Sequence, residues 1–146
     1  TAAANAGRAL VSNLDILPTI LSVTGTPVDP ALPKIDGISL VAKPGGHTVV
    51  LSEYWRDPGW SPAVPAPIPT WAALYDRRYT FAITYDKDGR PVTQELYDRV
   101  ADPREMTNLI PVRAGATSPT YDVKRWTARL NTERRCTGTA GTRPCH

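Results

Sequence analysis

Trp71-Ala72-Ala73-Leu74-Tyr75 and Tyr79-Thr80-Phe81-Ala82-Ile83-Thr84-Tyr85 are two β-rich runs separated by Asp76-Arg77-Arg78, and Asp86-Lys87-Asp88-Gly89 turns the chain into a third, Thr93 to Asp98. Aromatic and β-branched residues suit a pleated, half-buried surface, while Asp and Gly suit the turns between them, so the three runs predict an antiparallel meander. Upstream, His47 to Trp55 alternates cleanly, with Val49, Leu51, Glu53 and Trp55 on one face and Val50, Ser52 and Tyr54 on the other. Together these segments predict a small four-stranded antiparallel sheet. Such a sheet needs a helix or another domain on its apolar face.

Outside the sheet the helix signals are local. Ser12 to Gly25 reads as a short helix with Asp15 as N-cap, Pro18 in the tolerant first turn and Gly25 at the left-handed C-terminal position. Ala9-Leu10-Val11 reads as a short strand feeding it. Asp102-Pro103-Arg104-Glu105 has an Asp cap, Pro at the first helical position and Glu three residues after the cap, which predicts one turn of helix. Ser118-Pro119 predicts a second start, with Val123, Trp126 and Leu130 forming the apolar stripe of a helix lasting to about Arg135. Lys124, Arg125 and Arg129 lie opposite that stripe, either as a solvated face or as an anion-binding patch. The fold class is α+β: the four-stranded sheet with a C-terminal helix, preceded by a strand-helix segment.

The composition fits a globular chain. Apolar residues make up 41% and charged residues 21% of 146 residues, which argues against disorder throughout. Fifteen prolines point to long ordered loops, above all Arg56 to Thr70 around Trp60. A net charge of +3 without a recognisable basic stripe gives no support to nucleic-acid binding. No stretch reaches the roughly 18 apolar residues of a membrane span. The chain opens at Thr1 with neither Met nor a leader, which suggests that upstream sequence is missing.

Cys136 and Cys145 sit in a Thr- and Gly-rich tail. A disulfide between them would contribute about 2.5–3 kcal/mol on the loop-entropy model and imply an exported protein. Unlinked thiols are the alternative. Zinc has less support, since only His146 and distant His47 could join the cysteines.

Catalytic chemistry is hard to place. A nucleophilic triad needs a well-placed His, yet the only two are His47, beside a Gly-Gly turn and read as a turn residue, and terminal His146. The Asp residues are spaced as caps and turn formers. Metal ligands are therefore not predicted in this chain. Glu53 stands out as a charge in mid-strand that requires a partner, an Arg being the simplest. Trp55, Trp60 and Trp71 lie at or near the proline-rich loop, as core or domain packing or as a platform for a flat ligand such as a sugar ring.

The segment Val11-Ser12-Asn13-Leu14-Asp15-Ile16-Leu17-Pro18-Thr19-Ile20-Leu21, then Gly25 and Asp36-Gly37-Ile38-Ser39-Leu40, closely resembles a stretch of the sulfatase family. A second match is Glu95-Leu96-Tyr97-Asp98, Asp102-Pro103, Glu105 and Asn108-Leu109, in the family's order and spacing. Leu74 to Phe81 is similar to the family's hairpin, with Thr80 where Lys is usual. Glu53-Tyr54-Trp55 and the Cys136 to Cys145 tail look like bacterial members related to N-acetylglucosamine-6-sulfatases, with Tyr54 in place of the common His.

The resemblance implies the C-terminal region of an alkaline-phosphatase-superfamily sulfatase. Residues 1–42 would end a large α/β domain, 43–117 would form the antiparallel-sheet subdomain, and 118–146 the C-terminal helix and disulfide tail. Calcium and a formylglycine nucleophile would lie upstream, since no Cys/Ser-x-Pro/Ala-x-Arg motif occurs here, and the chain alone is expected to be inactive. Glu53, Tyr54, Trp55 and Trp60 become candidates for the rim of a substrate pocket. Expected partners are the upstream catalytic domain or a second copy covering the sheet, and a sulfated sugar. A non-catalytic carbohydrate-binding or interaction module on the same scaffold is the alternative, and a phosphonate or phosphate-ester hydrolase is a further one.

Overall fold

The computed structural model describes residues 9–31, 34–42, 46–55 and 68–136. It divides into two compact units, one running to Val50 and resuming at Asn131, the other spanning Leu51–Leu130.

The second unit holds the predicted sheet. Strands β1 (Val50–Tyr54), β2 (Thr70–Tyr75), β3 (Tyr79–Tyr85) and β4 (Pro91–Asp98) are ordered β1-β2-β3-β4 in one antiparallel sheet. Register places Leu74 opposite Phe81 and Phe81 opposite Leu96, so three apolar side chains form one cross-strand row, and all three are fully buried. Each buried side chain of this kind contributes about 1.5–3 kcal/mol by leaving water. Helix α2 (Val123–Glu133) covers that face, with Trp126 stacked on Phe81 at a centroid distance of 5.9 Å. The cover that the sheet required is thus supplied by the predicted Val123/Trp126 stripe.

The free edge of β4 is sealed by the segment after it. The amide of Gln94 donates to the carbonyl of Val112, that of Ala114 to Val92, and that of Leu96 to Oδ1 of Asn108 at 3.0 Å. Pairing an edge in this way removes a template for aggregation. At the strand's end both Nε and Nη2 of Arg78 reach Oδ2 of Asp98, at 2.9 and 2.7 Å, while Oδ1 of Asp98 accepts from the amides of Val100 and Ala101. The Leu-Tyr-Asp and Asn-Leu spacing of the sequence therefore has a local purpose: it finishes β4.

Two helix expectations change here. Residues 102–105 form turns and no helix, and Glu105 adopts a left-handed φ of 53°. Its carboxylate does not return to the cap; it accepts from Oγ1 of buried Thr80 at 2.5 Å. A tertiary hydrogen bond has overridden the capping-box signal. The C-terminal helix begins at Val123, later than Ser118-Pro119 suggests, because Oγ of Ser118 turns the chain through the amides of Thr120 and Tyr121 and Oδ1 of Asp122 receives the amide of Arg125.

In the first unit, Ser12 caps a 3-10 turn over Asn13–Asp15, followed by helix α1 (Ile16–Thr24) and left-handed Gly25 at φ 64°. The expected strand at Ala9 to Val11 reduces to bridges from Leu10 to Gly46 and His47. Helix α1 buries none of its residues, and Ile16, Leu17, Ile20 and Val23 are each more than half exposed.

Candidate functional site

Asp15 was expected to cap α1, but its side chain makes no such bond. It is completely buried instead, as the third residue of a capping box in which Oδ2 accepts the Ser12 amide at 2.7 Å. Oδ1 accepts the amide of Ile38 at 2.9 Å, and the Nε2 of His47 approaches both oxygens, at 2.9 and 3.0 Å. Since a carboxylate only accepts, Nε2 carries the hydrogen. Thr19 extends the network: its hydroxyl donates to the Asp15 carbonyl at 2.6 Å and accepts from the Leu40 amide at 3.0 Å.

Two glycines permit this convergence. A Cβ on Gly37 would lie 2.4 Å from the carbonyl oxygen of Leu14, and one on Gly46 would lie 2.3 Å from that of Leu10. Both also have positive φ, which a side chain disfavours. Burial pushes the Asp15 carboxyl up, but the amides of Ser12 and Ile38 and the imidazole of His47 outweigh it and hold it below the usual range. His47 is thus more than a turn residue. Its facing nitrogen is occupied by Asp15, so the pair orders backbone.

The candidate rim residues are consecutive at the end of β1. Glu53 and Tyr54 are half-buried, and Trp55, just beyond the strand, is 65% exposed. Trp60 lies outside the described residues, as do Cys145 and His146. Trp71 is half-buried on β2. The structure therefore keeps Glu53, Tyr54 and Trp55 together as a chain-adjacent group, with Trp55 turned to solvent.

Among the described residues no group of three or more His, Cys, Asp or Glu converges to hold a metal ion. Also among these residues, no helix is long and apolar enough to cross a membrane.

A cleft at the start of α2 was not legible as such. Arg125 and Arg129 line it with Tyr79, Tyr121 and Trp126. The only sequence signal for it was the basic stripe on α2.

No family model matches the chain. Over 101 residues it is 32% identical to the choline-sulfatase of Rhizobium meliloti (strain 1021), a match covering 67% of this chain and 17% of that protein. A protein of Bacteroides thetaiotaomicron VPI-5482 described as a sulfatase superposes with a TM-score of 0.54 at 24% identity, over 82% of this chain and 23% of its own. A sulfatase from glycosaminoglycan metabolism in Bacteroides thetaiotaomicron gives 0.55 at 22% identity, over 83% and 25%. At that identity the superpositions establish fold. The chain spans about a fifth of the length of the relatives it matches. By sequence and fold together, the chain belongs to the sulfatases.

Proposed function

We propose that this chain is the C-terminal part of a sulfatase that hydrolyses sulfate esters, carbohydrate esters among them, with nucleophile and metal ligands in sequence upstream. The 101-residue match to choline-sulfatase at 32% identity carries the proposal. In this reading the chain itself turns over nothing, because a charged transition state needs a positioned nucleophile and metal. The exposed apolar face of α1 docks on the upstream catalytic domain, and Glu53, Tyr54, Trp55 and Trp60 contribute to the rim of its pocket. The parent protein is exported, and Cys136 pairs with Cys145.

The exposure of Trp55 also favours a second reading, a non-catalytic carbohydrate-binding module on the same scaffold. One experiment separates the two. The complete reading frame is expressed beside this chain and both are assayed on an aryl sulfate. Turnover by the complete protein alone is expected; turnover by the isolated chain would refute the assignment of the chemistry upstream. A complete reading frame without nucleophile motif or metal ligands would select the binding module.

A further inference from the structure

The basic residues of α2 do more than face solvent. Arg125 and Arg129, one helical turn apart, line a cleft of about 310 Å³ walled by Tyr79, Tyr121 and Trp126. Neither guanidinium has a hydrogen bond or ion pair with a described residue. Neighbouring Arg78 is already committed to Asp98. Two adjacent cations of this kind repel each other, and an anion bridging them relieves that repulsion.

The walls narrow the choice of anion. The ring of Tyr79 meets those of Tyr121 and Trp126 edge-on, at 6.4 and 6.1 Å between centroids, so three aromatic rings adjoin in the cleft wall, with Arg78 over the Tyr79 ring at 5.1 Å and Trp126 stacked on Phe81. Two carboxylates, Asp76 and Asp122, also line the cleft. Oδ1 of Asp76 is taken by the amides of Arg78 and Tyr79, and Oδ1 of Asp122 by that of Arg125. Their second oxygens have no hydrogen-bond partner among the described residues. A bare inorganic anion would satisfy the arginines but meet those carboxylates unfavourably. A sugar bearing a sulfate ester satisfies every group: ester oxygens on the guanidiniums, hydroxyl donors on the carboxylates, and the C–H surface of the ring against the aromatic side.

We propose that this cleft is a binding subsite for a sulfated sugar, formed by Arg125 and Arg129 against Tyr79, Tyr121 and Trp126, and distinct from the β1 rim. The choice of sulfate ester over another anionic sugar rests on the proposed sulfatase reading; the cleft and its free donors do not.

The test is a titration of the chain, followed by amide chemical shifts, with N-acetylglucosamine 6-sulfate, N-acetylglucosamine and sodium sulfate as separate probes. The sulfated sugar is expected to move amides of residues 76–79 and 118–129 and to bind at least tenfold more tightly than either other probe. The double variant Arg125→Ala/Arg129→Ala, at helix positions where Ala is well tolerated, is expected to weaken it tenfold or more. Lys87→Ala, in the exposed turn between β3 and β4, leaves it unchanged. Retained dispersion of the amide spectrum in the double variant separates loss of the site from loss of the fold. A loss smaller than tenfold in the folded double variant, shifts confined to residues 53–55, sodium sulfate binding as tightly, or no binding at millimolar sugar would each overturn the proposal. Failure of the sulfatase reading would instead appear in the hydrolysis assay.

Discussion

Nε2 of His47 stands 2.9 Å from Oδ1 of Asp15, across 32 residues of sequence, and joins the start of α1 to the chain just before β1. The carboxylate involved has no exposure at all. Removing either partner leaves buried polar atoms without their bonds, a loss of about 1–3 kcal/mol. His47→Ala and Asp15→Ala are therefore both expected to lower stability by that order in urea denaturation. Asp15→Ala should be the worse, since it also strands the amides of Ser12 and Ile38.

The same carboxylate makes stability depend on acid. Its pKa is lowered in the folded state, so its contribution is fully present above the unfolded value and is lost as pH falls through the folded one. Denaturation midpoints compared at pH 6 and pH 3 should fall less in Asp15→Asn than in the parent chain. Equal falls would remove Asp15 from the acid response.

Gly46→Ala places a methyl group 2.3 Å from the carbonyl of Leu10, at a residue whose φ is already positive. The obstructing atom is backbone, the Leu10 carbonyl that also accepts the His47 amide, and it has little room to yield. A cost of about 1–3 kcal/mol is expected, with loss of the His47 amide bond to Leu10, readable as faster hydrogen exchange at that amide.

Phe81 and Trp126 should be energetically coupled. Phe81→Ala empties a completely buried site and is expected to cost about 3–5 kcal/mol. In a double-mutant cycle with Trp126→Ala, a coupling of about 0.5–1.5 kcal/mol is expected from the stacked rings. Strict additivity would mean that α2 covers the sheet without that contact mattering.

Tyr97 should titrate late. Its phenol is pushed up to about 12, by burial first and then by donating to Oε2 of Glu95 at 2.9 Å. Absorbance titration of the parent against Tyr97→Phe isolates the group, and Glu95→Gln should bring its midpoint down. An unmoved midpoint would assign the shift to burial and to the carboxylates of Glu105 and Asp102.

The sheet was legible because its signals are local and repeated. Period-two alternation and β-branched or aromatic runs mark the strands, Asp and Gly mark the turns, and β3 occupies Tyr79–Tyr85 as expected. The Val123/Trp126/Leu130 stripe likewise announced a helix for the apolar face. Candidate rim residues Glu53, Tyr54 and Trp55 could be named but not given neighbours, since adjacency in sequence says nothing about what lies across the next strand.

What the sequence determined by itself was therefore the set of elements, their order and the resemblance carried by motif spacing. The tertiary structure alone decided where side chains with competing local uses spend their hydrogen bonds. Asp15 had a ready role as the N-cap of α1 and Glu105 as the return arm of a capping box; Asp15 instead divides its oxygens between the nearby Ser12 amide and the distant Ile38 and His47, and Glu105 goes to distant Thr80. A local cap can be satisfied by water at little loss, whereas a buried amide, imidazole or hydroxyl cannot. The folded chain therefore gives these carboxylates to buried donors 23 to 32 residues away, and no short window of sequence contains both partners of those bonds.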